Sequence, residues 1–343
     1  MAKKKKKQNK GYVFVLILIC LFAYYLFENK EEKVENNEPK EEKKVKIIDE
    51  NSKTRPYAVV INNNHAAWPH YGLNDAYISY EMLAEGGITR IMALFKDQTT
   101  NRVGSVRSAR PYFLDYALEN DAIFVHHGWS EDAKSDITKL NINNINGLYD
   151  TKVFFRDTSL NKAYEHTSFT NLEKVKEFVK EKGYDRNVKQ TLLKYSVDNI
   201  DLSQKENAIK ADKIYMKYSN YTDTEYEYDE VNKVYKRSMS NKAHKDGLTG
   251  NQYTYKNILI TPLKYKTYDT YGRLTLENIG TFNGYYITEG YAVPITFTKT
   301  SRSTKTIYKY ENGEEIKFND GNTFIQITPL GAEVEISWFV ISI

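Results

Sequence analysis

The segment Glu85-Gly86-Gly87-Ile88-Thr89-Arg90-Ile91-Met92-Ala93-Leu94-Phe95, inside the longer stretch Asp75 to Trp129, decides how this chain reads. Ile88 to Phe95 is apolar on both faces apart from Thr89 and Arg90, the pattern of a strand buried on both sides. The diglycine before it supplies a turn that needs positive φ or close backbone approach. Asp75 to Glu81 reads as a preceding strand, with a helix through Leu83 as the alternative. Downstream, Val103-Gly104-Ser105-Val106-Arg107-Ser108-Ala109-Arg110 is an arginine-bearing loop that leads into a helix over Pro111 to Leu118. Ser108 suits a cap, and Pro111 a first-turn position whose missing N–H costs little. A strand over Ala122 to Val125 then ends in His126-His127-Gly128-Trp129.

A helix start carries uncapped N–H groups and partial positive charge, and Arg107 and Arg110 lie beside this one. Such a place suits a carboxylate, sulfate or phosphate. The alternative is that the arginines pair with Glu81, Glu85 or Asp115 and only hold the fold together.

The combination Tyr80-Glu81, Glu85-Gly86-Gly87-Ile88-Thr89-Arg90 and Gly104-Ser105-Val106-Arg107-Ser108-Ala109-Arg110-Pro111-Tyr112-Phe113 resembles the YerB-like family of bacterial lipoproteins. The likeness continues through His126-His127-Gly128, Phe155-Arg156-Asp157, His166, Asp246-Gly247-Leu248-Thr249-Gly250, Lys256 to Ile260 and Gly290 to Thr296, covering roughly Arg55 to Pro329. The resemblance implies an extracytoplasmic protein with two adjoining domains of α+β type, and it implies no reaction. Relatives commonly carry Ala-Pro-His-Asn where this chain has Ala163-Tyr164-Glu165-His166-Thr167, which weakens a role for that loop. They also often carry a lipobox cysteine.

The chain has 343 residues and a formal charge of +4. Six lysines fall in the first ten residues, and Tyr12 to Phe27 has no charged residue. This reads as a basic cytoplasmic tail (1–10) and an uncleaved single-pass membrane anchor (11–27), with the rest outside. No Ala-x-Ala-like cleavage site follows Ala23. Cys20 is the only cysteine, and Ile19 stands where a lipobox needs a small residue. Disulfides, thiol nucleophiles and thiolate metal sites are therefore excluded from the exported part. The stretch 28–54 reads as a solvated, disordered tether rich in Glu, Lys and Asn. With +6 in the tail and nine acidic against six basic residues over Glu28 to Glu50, about +1 remains for everything else. That near balance removes the electrostatic case for nucleic-acid binding.

The expected fold is α+β: an N-terminal mixed α/β domain (55–186) and, after a polar connection (187–212), a C-terminal antiparallel β domain (213–343) packed on it. Thr170 and Glu173 read as a capping box for a helix with the stripe Leu172, Val175, Phe178, Val179, ended by Gly183. Ser130 reads as the cap of another. Beyond Lys213, short alternating runs separated by Gly, Asn and Asp read as strands, with Asn312-Gly313 and Asp320-Gly321 as hairpin dipeptides. The 29 tyrosines include alternating pairs such as Tyr226, Tyr228 and Tyr253, Tyr255. They suit either sugar stacking or plain strand propensity, and the latter is the simpler account.

Adjacent His126 and His127 point to opposite faces of a strand, so they cannot form a two-histidine metal pair; one faces the Arg107 side. No metal motif, Gly-x-Ser-x-Gly elbow or phosphate loop is present. Glu81 and Glu85 are about 13 Å apart if both lie on one strand, whereas a retaining glycosidase needs about 5 Å. Two functions remain. One is a membrane-tethered envelope binding protein that holds an anionic wall polymer or a partner protein at Arg90, Arg107, Ser108, Arg110 and Trp129. The other is an envelope hydrolase with Glu81, Glu85, His126 or His127 as acid or base. Neither calls for a metal or cofactor.

Overall fold

A computed structural model of the chain describes residues 10–28, 44–337 and 339–342, with side chains for 12–28 and 44–337. Two compact units result, 1–43 and 44–343. In the first, only helix α1 (Lys10–Glu28) is described. Among the described residues no helix is long and apolar enough to cross a membrane. The uncharged run Tyr12 to Phe27 covers roughly 24 Å at 1.5 Å per residue, short of a hydrocarbon core of about 30 Å. The tail 1–9 and the tether residues 29–43 lie outside the described residues.

The second unit is α+β and is organised around an eleven-stranded mixed sheet. Its order is Ile209–Lys210, Tyr291–Lys299, Gly280–Thr288, Asn257–Ile260, Thr323–Ile327, Ile78–Leu83, Thr89–Phe95, Tyr57–Asn62, Ile123–His126 and Asn144–Asn146, with Ile307–Tyr310 pairing beside Tyr291–Lys299. Ile78–Leu83 and Thr89–Phe95 pair antiparallel around the Glu85–Gly87 turn, where Gly86 and Gly87 have φ of 70° and 74°. All seven residues of Thr89–Phe95 are buried, as apolarity on both faces demands. On one face lie helices α2 (Pro111–Glu119) and α3 (Glu131–Lys139), whose Phe113, Leu114, Ala117, Ala133 and Ile137 meet Val60, Tyr80, Met92 and Phe124. On the other face, helix α4 (Leu172–Glu181) and a seven-stranded sheet cover Val59, Ile91, Val125, Ile258 and Phe324.

Both sequence segments contribute to the large sheet. Thr323–Ile327 runs parallel to Ile78–Leu83 on one side and to Asn257–Ile260 on the other. The C-terminal half is thus antiparallel except at this strand and at Phe318–Asn319, which runs parallel to Tyr195–Ser196. Four local expectations are corrected. Residues 44–54 are no free tether: the Lys46 and Ile47 N–H groups donate to the Asp320 carboxylate at 2.9–3.0 Å, and Ile48 is buried. Asp320 therefore serves this clasp instead of a hairpin. The connection 187–212 buries Leu192, Leu193, Tyr195 and Leu202, and its Tyr195–Ser196 strand pairs with Phe318–Asn319. Finally, α4 is capped by Asn171, which accepts from the Lys174 N–H, whereas Thr170 is a strand residue whose hydroxyl donates to the Val153 carbonyl. Ser130 caps α3 as read, accepting from Ala133. Tyr226, Tyr253 and Tyr255 are core residues, not a sugar platform.

Candidate functional site

The arginines around the start of α2 do not converge on one opening. Arg110 occupies the cap position in extended backbone, and its side chain turns back to Glu85. Arg110 Nε and Nη2 both donate to that carboxylate (Nη2–Oε2 3.0 Å), Arg90 Nη2 lies 3.4 Å from the same Oε2, and Arg110 Nη1 donates to the Ala109 carbonyl. Ser108 is not the cap; its carbonyl accepts from Arg90 Nη1. Burial, with Arg110 close by, lowers the Arg90 guanidinium to about 9. Burial pushes the Glu85 carboxyl up, but the Arg110 hydrogen bond and both cations outweigh it and hold the group below its usual value. The site foreseen for an external anion is thus filled by a carboxylate of the chain.

Glu81 belongs to a different network, buried between the two sequence halves. Its Oε1 accepts from Asn63 (2.9 Å) and Thr89 (2.7 Å), and its Oε2 accepts from Arg237 Nη2 at 2.7 Å. Arg237 is fully buried, and its other amino group donates to His244 Nδ1 at 2.6 Å. That donor fixes the tautomers down the line. His244 carries its proton on Nε2 and donates to His70 Nδ1 (2.6 Å), and His70 Nε2 donates to the Asn62 carbonyl (2.7 Å). Burial holds both imidazoles neutral, His70 at about 3 and His244 well below its ordinary value. For Arg237 burial opposes the charge, but Glu81 outweighs it and raises the guanidinium. Such a closed chain is a structural tie between halves, so Glu81 is no acid or base for an external substrate.

What faces solvent lies at the carboxyl ends of three parallel strands, Tyr57–Asn62, Ile123–His126 and Asn144–Asn146. Ligand sites of α/β sheets are commonly found at such ends. His126 and His127 diverge as the strand pleat requires. His126 is buried against Phe124 and Trp129, with Nδ1 at the Gly128 carbonyl. Trp129 goes with it, against Tyr149 and beneath Lys134. His127 faces the other way, where Arg107, Arg156, Glu165, His166 and Ser168 gather.

Arg156 Nη2 donates to His127 Nε2 at 3.3 Å, so the His127 proton sits on Nδ1 and is donated to Ser168 Oγ at 2.7 Å. Arg156 also donates to the Tyr164 carbonyl (2.6 Å) and lies 3.6 Å over the Tyr164 ring. Asn62 Nδ2 donates to His166 Nδ1 at 2.8 Å, which leaves His166 Nε2–H directed at Glu165 Oε1, 3.5 Å away. Arg107 Nη1 stands 3.8 Å from Glu165 Oε2, its side chain 28% and that of Glu165 56% exposed. Burial, then Arg156 and neighbouring positive groups, lowers His127 to about 4. Burial outweighs the upward pull of Glu165 and, with Arg107 and Lys162 acting in the same sense, lowers His166. Two neutral imidazoles and two guanidiniums are thus held against one loosely engaged acid. Of the residues foreseen for binding, Arg107 alone is here; Arg90, Ser108, Arg110 and Trp129 lie elsewhere. Arg156 and His166 carried a signal in the family-like motifs, and the altered Tyr164-Glu165 pair led the loop to be discounted. Among the described residues no group of His, Cys, Asp and Glu is arranged to hold a metal.

The three-layer fold and the site at its strand ends define an α+β protein of two sequence domains. Residues 45–185 match the family model described as "Protein of unknown function (DUF3048) N-terminal domain", and residues 214–325 match the corresponding C-terminal domain. The Bacillus subtilis (strain 168) protein named "Putative lipoprotein YerB" is 32% identical over 276 residues, 80% of this chain and 81% of that protein. The crystal structure of YerB protein from Bacillus subtilis matches with a TM-score of 0.72 at 29% identity, covering 84% of this chain and 96% of that one. The chain belongs to the YerB family.

Proposed function

We propose that this protein is an envelope-associated, extracytoplasmic binding protein that holds an anionic group of a wall polymer between Arg107 and Arg156, beside His127 and His166. The single observation that carries this reading is the excess of guanidinium over carboxylate at a solvent-facing strand-end site. There Arg107 has only a 3.8 Å contact to a half-exposed Glu165. Exchange of that weak internal contact for a phosphate or carboxylate of a ligand gains bidentate, charge-assisted hydrogen bonds. The envelope location rests on kinship with a protein named as a lipoprotein and on the uncharged run Tyr12 to Phe27, which we take as a membrane tether.

Hydrolysis is the weaker reading. Glu85 is engaged by two buried cations, and the His127–Ser168 pair has its proton on the nitrogen that faces the hydroxyl, so His127 cannot take a proton from Ser168 in this arrangement. The test is titration of the full-length chain with a glycerol-phosphate oligomer. Saturable binding is expected, weakened at least about tenfold in R107A/R156A and unchanged in K134A. Absence of binding, or equal binding by the double variant, overturns the proposal.

A further inference from the structure

A second concavity, independent of the Arg107 site, opens between the start of α2, the first turns of α3 and the hairpin of Lys264–Thr267 with Leu274–Glu277. Its volume is about 500 Å³, within the range of roughly 300–1,000 Å³ typical of small-molecule sites. Leu274, Leu276 and Ile279 form an apolar wall, with Ile279 47% exposed. Opposite it stand the carboxylates of Asp115, Asp132 and Asp136. One cation of the lining answers them: Arg302 Nε lies 2.6 Å from Asp115 Oδ1 and its Nη1 2.8 Å from Asp136 Oδ2. Arg273 at the rim is matched by Asp269 at 3.0 Å and does not alter the balance. Asp132 accepts from the neutral Tyr268 hydroxyl and feels Arg273, whose own partner is Asp269, only from a distance. The groove therefore carries two negative charges in excess. Burial keeps the Asp115 carboxyl above its usual value even with Arg302 and Asn278 in contact.

We propose that this groove takes an alkylammonium group: the methylene stem along Leu274, Leu276 and Ile279, the ammonium at Asp132 and Asp136 beside the Tyr268 ring. Ammonium–carboxylate pairing and the aromatic face supply the recognition, and the apolar wall selects a stem over a bare ion. A free diamine and the lysine side chain of a peptide share this chemistry.

The test is titration of the full chain with 1,5-diaminopentane and, separately, with an N-acetylated Leu-Lys-Leu amide, against 1,5-pentanediol as the uncharged analogue. At least one ammonium probe is expected to saturate and the diol not to compete. D132N, at an exposed position, is expected to weaken binding about tenfold without change in Tm, and I279S to weaken it less. R107A/R156A is expected to leave it unchanged, which separates this site from the anion site. Binding of the diamine alone assigns a small amine, and tighter binding of the tripeptide assigns a polypeptide lysine. Failure of both probes to saturate below about 10 mM, equal competition by the diol, or an affinity indifferent to both D132N and I279S overturns the proposal.

Discussion

Glu85 gives Arg90 and Arg110 from within the chain what a ligand would otherwise bring. Removal of that charge leaves two nearly buried cations facing each other. E85Q is therefore expected to destabilise the fold by roughly 2–4 kcal/mol, read from urea unfolding at neutral pH; a loss below about 0.5 kcal/mol would contradict the pairing. The pH sense follows from the lowered Glu85 carboxyl. Its contribution is complete above the unfolded value near 4.5 and disappears as pH falls through the still lower folded value. At the neighbouring site, a Cβ on Gly147 would come within 2.3 Å of His127 Nδ1. G147A is expected to push the imidazole off Ser168 and let its pKa rise from about 4 toward the ordinary range, as NMR titration would record. An unmoved His127 resonance would show that the ring is not held as described. Replacement of the positive-φ Gly86 next door strains the turn directly, a requirement already visible in the diglycine.

A buried side-chain contact between the two sheets ties the halves together. Arg237 on Val234–Met239 and Glu81 on Ile78–Leu83 meet at 2.7 Å with neither exposed. R237M is expected to cost about 3–5 kcal/mol because Glu81 is left charged and unpaired, whereas E81Q/R237M recovers much of the loss. A double-mutant cycle with no coupling would refute the tie. At this scale the strand–turn–strand around Gly86-Gly87, the α2 start at Pro111 and the α4 stripe were all legible, because each rests on local periodicity or turn chemistry. The Asn171 cap was not, since Thr170 is claimed by a strand whose partner lies far off in sequence. The anion site was half legible. Arg107 and His127 stood out by motif, but the loop that brings Arg156, Glu165 and His166 beside them has no periodic pattern. The pairing of Arg110 with Glu85 is a tertiary choice among several acids, and nothing in local sequence selects it.

For the molecule as a whole, all six histidines have pKa values below the ordinary one, burial being the first cause at each. The unfolded chain therefore binds more protons once pH drops below about 6.5. Stability is expected to fall as pH moves from about 6.5 toward 4, by about 1.4 kcal/mol per pH unit for each proton taken up on unfolding. Urea midpoints across that interval check this, and a flat profile would contradict the buried neutral imidazoles. The position of Thr323–Ile327 carries another consequence. Because a strand so late in the chain sits between Ile78–Leu83 and Asn257–Ile260, neither neighbour is complete until nearly the whole polypeptide has been delivered. Early segments must wait with unpaired, strongly apolar edges, the situation in which holding chaperones act and truncated chains aggregate. Ribosome-stalled or translocation-arrested chains ending before residue 323 should thus remain protease-sensitive throughout, N-terminal half included.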